Sequence, residues 1–139
     1  NRSLFLFLSF FVFSSYSLLS QKNKVNNKAN AYEQISSLKS GALLVRLQTK
    51  QPTIDAYNEK GYTEIAAELE KNQIAGNKRI IQAFNEDFHF CKVYFFLSED
   101  SEAIEENRLD DVIFLNSNYE KDPSIELNEP FYLIAIFGG

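Results

Sequence analysis

The sequence predicts an α/β domain: a mostly parallel sheet with helices on both faces, cut short at its C-terminus. Three observations predict it. Short apolar runs of strand length recur, ALLVRLQ (42–48), CKVYFFLS (91–98), DVIFLN (111–116) and FYLIAIF (131–137). Stretches with helical spacing separate most of them, which is the grammar of parallel crossovers. The run at 91–98 is apolar on both sides of the pleat, as befits a strand covered on both faces.

The elements follow in order. Residues 2–20, RSLFLFLSFFVFSSYSLLS, carry one positive charge, an apolar core from Leu4 to Phe13 and a serine-rich end. That is the layout of a secretory signal peptide, so an exported protein, periplasmic or extracellular, is expected. An uncleaved anchor is the rival, and membrane contact is expected through that segment alone. Ser14, Ser15, Ser17 and Ser20 dilute the last third, and a spanning helix needs about 20 apolar residues. No cysteine stands behind the apolar core to carry a lipid. Residues 21–31 are polar and asparagine-rich and read as a tether. The remainder, 32–139, suffices for a single α/β domain. The chain holds no methionine and stops just past an apolar run, so an incomplete domain is expected.

Within that domain, Tyr32, Ile35 and Leu38 stand at helical spacing, and Gly41 reads as the helix stop. After the first strand, Pro52 opens a helix through about Lys60, which Gly61 interrupts. A second helical stretch runs from about Tyr62 to Phe88. Its middle, EKNQIAGNKR, is almost wholly polar, so it is expected to protrude into water or to break near Gly76-Asn77. SEDSEAIEEN (98–107) reads as a short helix with acidic groups in its first turn, where they favour the positive end of the helix dipole. The runs at 111–116 and 131–137 read as the third and fourth strands.

Charge is unevenly distributed. Residues 21–50 carry six Lys/Arg against Glu33 alone, whereas residues 86–129 carry thirteen Asp/Glu against Lys92, Arg108 and Lys121. The acidic excess argues against a nucleic-acid surface, which needs clustered cations to neutralise phosphates.

The single histidine and single cysteine, His89 and Cys91, stand two positions apart and would face the same way in a strand. A thiol–imidazole dyad needs that proximity. The pair lies where the chain enters its strand, however, and open α/β sheets bind ligands at the other end. Cysteine is also among the residues most often buried and inert. Structural packing is the favoured reading, ahead of a redox or intermolecular thiol and of a catalytic or metal site. The five glycines form no phosphate-binding loop. The acidic run from Glu99 to Asp111 lacks the glycine of a calcium loop. No cofactor and no metal are expected.

Arg46 is the polar residue that stands out. It interrupts an apolar run inside a predicted central strand, and arginine is rarely buried unpaired. With Gln48, and with Ser98, Glu99, Asp100 and Asn116 at the ends of the other strands, it would line the crevice where this architecture holds ligands. The alternatives are a structural ion pair between Arg46 and an acidic group, or an edge strand that leaves Arg46 in water.

SGALLVRL, FCKVYFFLSEDS and DDVIFLN together resemble segments of uncharacterised exported proteins of marine Bacteroidota. The resemblance spans about residue 38 to the end and implies an envelope address and a missing C-terminal portion, with no activity attached. The expectation is therefore a non-catalytic domain that binds a small anionic ligand or a protein partner. The alternatives are a small-molecule hydrolase or transferase with its site at the strand carboxyl ends, or an envelope assembly component that pairs through an edge strand.

Overall fold

Residue by residue, the computed structural model describes positions 27–137. The signal-like segment (1–20) and the first part of the tether (21–26) lie outside the described residues. Three strands, β1 (Ala42–Leu47), β2 (Lys92–Leu97) and β3 (Tyr132–Ile136), pair in parallel in the order β2-β1-β3. β1 takes the centre because almost its whole length can be dry: Ala42, Leu44, Val45 and Leu47 are fully covered. Its register sets Arg46 between Phe96 of β2 and Ile136 of β3.

Helix α1 (Asn27–Ser40) precedes β1 and starts inside the stretch read as tether. Gly41 does not end it as a left-handed cap. A Cβ there would meet the Phe131 carbonyl oxygen at 2.5 Å, and that oxygen accepts a hydrogen bond from the Ala42 N–H at 3.0 Å. Close backbone approach, not turn geometry, requires glycine at this position. Helix α2 (Gln51–Glu59) has its proline in the first turn as expected. Gly61, at φ +81°, turns the chain into α3 (Thr63–Asp87).

The sheet is covered on both sides, as the sequence predicts. Leu43, Val45, Leu47, Phe95, Leu133 and Ala135 pack under Ile81 and Phe84 of α3. Ala42, Leu44, Phe96, Tyr132 and Ile134 pack under Ala103 and Ile104 of the short helix α4 (Ser101–Glu105), with Val112 and Phe114 beside them. The connection from β1 to β2 thus crosses one face, and the connection from β2 to β3 crosses the other. Two parallel crossovers that leave in opposite directions are both right-handed only when they use opposite faces.

Two expectations fail here. First, the middle of α3 neither breaks near Gly76-Asn77 nor stands free in water: the helix runs 25 residues without interruption, about 37 Å at helical rise, and residues 73–77 are half-buried or buried. The polar middle is anchored by Asn77, which is fully buried. Its Nδ2 donates to the Gln48 carbonyl at 2.8 Å and to the Tyr119 hydroxyl at 3.1 Å, while Gln73 donates to its Oδ1 at 3.3 Å. Those bonds fix the helix across a glycine whose propensity cost is only about 1 kcal/mol.

Second, residues 111–116 form no third strand. After a 3-10 turn (Leu109–Asp111), the chain makes isolated antiparallel bridges, Phe95 with Leu115 and Leu115 with Lys121. Phe114 joins one core and Leu115 the other, as successive residues of extended chain do, but the single bridge to the edge strand β2 is not continued into a ladder. Asn116 ends the run by local competition. Its Oδ1 accepts the backbone N–H groups of Asn118 (2.9 Å) and Glu120 (3.1 Å), folding the chain back on itself. Among the described residues, no helix is long and apolar enough to cross a membrane.

Candidate functional site

The chain leaves β1 towards the α3 face and leaves β2 towards the α4 face, so the two crossovers part company where β1 and β2 end. In sheets of this kind that parting leaves a crevice beyond the strand carboxyl ends. The register brings Arg46 to it. The side chain is on the α4 side, since its same-face neighbours Ala42 and Leu44 belong to that core.

Arg46 lines a cleft of about 20 Å³ together with Phe96, Ser101, Ile104, Glu105, Ile134 and Ile136. That space admits a water or one group of an incoming molecule, not a whole metabolite. Its walls are chiefly three isoleucines and a phenylalanine. Arg46 is half-buried, and its Nε is buried with no hydrogen-bond partner. The ion pairs among the described residues do not include it. An orphaned guanidinium nitrogen at a sheet's ligand-binding end is costly to keep, because a buried donor without an acceptor forfeits about 1–3 kcal/mol.

The other expected site residues are distributed around this end and do not form one ring. Ser98 holds the ends of β1 and β2 together: its Oγ accepts the Thr49 N–H at 3.2 Å and lies 3.3 Å from Thr49 Oγ1. Ser98 also offers its carbonyl to the Ser101 hydroxyl at 2.7 Å, which orients the first turn of α4. Gln48 contributes its backbone carbonyl to Asn77 on the opposite face. Glu99 is exposed. Asp100 is half-buried, with one carboxylate oxygen buried and unpartnered. Burial raises its pKa above the ordinary value, Lys121 pulls it down less strongly, and Glu99 adds to the rise. Asn116 is engaged within its own turn. Just past β1, Lys50 occupies the left-handed region at φ 54°, a strained backbone for a residue other than glycine.

Ser101, Glu105, Ile104, Ile134 and Ile136 were not among the sequence candidates. The signal for two of them is present: Ser101 and Glu105 are four residues apart on one helix and so share a face. Choosing that face requires knowing which side of the sheet α4 covers.

At the amino end, the opening pair of the second strand behaves structurally. His89 is exposed and its Nε2 donates to the Glu86 carbonyl at 2.9 Å. Cys91 is half-buried and unpaired. Burial pushes its thiol up to about 11, opposed by a hydrogen bond with the Leu43 backbone and helped by the nearby Glu129. A thiol so poised is protonated at neutral pH and a poor nucleophile. Among the described residues, no group of three or more His, Cys, Asp or Glu side chains is placed to hold a metal ion. Comparison with protein-family models, with curated proteins and with solved structures gives no match.

Proposed function

We propose that this chain is an exported, non-catalytic binding domain whose site is the Arg46 cleft and whose ligand carries an anionic group. One observation carries the reading: Arg46 Nε is buried without a partner, at the end of the sheet where parallel architectures hold ligands. An ionic oxygen entering the cleft would supply the missing acceptor, and charge-assisted bonds to guanidinium are about twice as strong as neutral ones. The signal-like composition of residues 2–20 supports export.

Thermal unfolding in the presence of acetate, benzoate, phosphate and sulfate, against chloride at matched ionic strength, tests it. At least one anion should raise Tm for the natural protein, and Arg46→Met should abolish that rise while leaving the unliganded fold intact. No rise with any anion, or an equal rise in the variant, would overturn the reading.

One observation favours a second reading, a hydrolase or transferase. Asp100 has a buried, unpartnered carboxylate oxygen and a raised pKa, the profile of a general acid or base. It does not line the Arg46 cleft, which is why binding is the preferred function. Turnover of ester or phosphoester probes that disappears in Asp100→Asn would reverse that preference.

A further inference from the structure

We infer that the ligand group entering the Arg46 cleft is the carboxylate of a small monoanion with an apolar body, and not a phosphate. This rests on the proposed anion-binding reading and adds the chemical class. Three features converge on it. The cleft offers a single cation, Arg46, and so neutralises one negative charge. Glu105 stands on the same cleft, exposed and forming no ion pair with Arg46. Its charge repels each negative charge the ligand brings, and so weighs more on phosphate, which carries between one and two at neutral pH, than on a monoanion. Finally, the space beside the guanidinium is walled by hydrocarbon, with Phe96, Ile104 and Ile134 buried and Ile136 partly exposed. Those walls leave the additional oxygens of a phosphate without donors, and the partly exposed Ile136 offers apolar surface to an alkyl or aryl body. The narrowness of the cleft agrees: it takes the head of the ligand, while the body lies outside it against Ile136.

The experiment is a calorimetric titration of the full chain with acetate, isobutyrate, benzoate and inorganic phosphate, repeated with Arg46→Met and with Glu105→Gln. Benzoate or isobutyrate should bind about tenfold tighter than acetate, and phosphate should bind most weakly. Glu105→Gln, an exposed change expected to leave the fold unaltered, should improve phosphate more than benzoate. Phosphate binding as tightly as benzoate, or equal affinity for acetate and benzoate, would overturn the carboxylate class while leaving the anion site standing. Binding of none of the four would remove the anion site itself. Unchanged relative affinities in Glu105→Gln would overturn the role given to that carboxylate. Should Arg46→Met fold poorly, the Glu105→Gln comparison still decides the class.

Discussion

The two ends of the sheet treat buried charge in opposite ways. At the amino end, Glu129 is only 8% exposed, yet both its oxygens are used: Lys92 Nζ lies 2.6 Å from Oε1, and the Tyr94 hydroxyl donates to Oε2 at 2.7 Å. At the carboxyl end, Arg46 Nε and Asp100 Oδ2 are buried and have no partner. The division concerns charge: neutral groups are paired at the carboxyl end as well, Ser98 with Thr49 and Asn77 with Gln48. The Tyr132 hydroxyl at the start of β3 finds Asn107 Oδ1 at 3.2 Å. The amino end is finished as a structural closure; the carboxyl end is left with valences open. A small domain keeps such unpartnered groups at a cost, and on the proposed reading a ligand group relieves it at Arg46.

The titration behaviour differs in sign as well. Burial alone would raise Glu129, but the Lys92 ammonium and the Tyr94 hydroxyl outweigh it and hold the carboxyl below its usual 4.5. The same contact, added to burial, pushes the Tyr94 phenol up to about 12. A depressed carboxylate contributes stability above its unfolded pKa and loses it as pH falls through the folded value. Asp100 is raised above 3.8. Its ionised form opposes folding at neutral pH, and the penalty fades as pH falls towards 3.8.

The sharpest way to probe this contrast is Asn77→Ala. On the α3 side the carboxyl end is fully satisfied, and removing Asn77 strands the Gln48 carbonyl and the Tyr119 hydroxyl. A loss of about 2–4 kcal/mol in urea unfolding is expected. A loss below about 1 kcal/mol would mean that α3 is not anchored through this residue. Next comes Glu129→Ala, which leaves Tyr94 without its acceptor and should cost about 2 kcal/mol at pH 7. The difference from the natural protein should shrink as pH falls below 4.5. A pH-independent difference would show that Glu129 acts through packing and not through its charge. Asp100→Asn should do the reverse and stabilise by up to about 1 kcal/mol at pH 7, with no gain below pH 3.8. Smallest is Lys92→Ala. The ammonium is 69% exposed, so less than about 0.5 kcal/mol is expected; a larger loss would mean that the ion pair, and not the tyrosine, holds Glu129.

The strands were legible because their environment is uniform. Runs at 42–48, 91–98 and 131–137 predict β1, β2 and β3 to within a residue at either end, since burial on both faces leaves an unbroken apolar signature. DVIFLN carries the same signature for a different reason. Val112, Phe114 and Leu115 are buried while Ile113 is 39% exposed, and they serve two cores beside the edge of β2, which a linear pattern cannot distinguish from a strand. Arg46 was legible as an anomaly, a cation in an apolar run. Its companions in the cleft were not, because Ser101 and Glu105 come from a five-residue helix whose orientation depends on the sheet beneath it. Glu129 lies between DVIFLN and the last strand, and its meeting with Tyr94, 35 positions earlier in the chain, leaves no local trace.

The central position of β1 has one more consequence. The strand that both neighbours need is made first, yet Arg46 reaches its β2 partner Phe96 fifty residues later and its β3 partner Ile136 ninety residues later. Assembly must therefore wait for the distal part of the chain, and such non-local closure is slow. In the interval a bare hydrophobic ribbon, ALLV, is open to intruders along both of its borders.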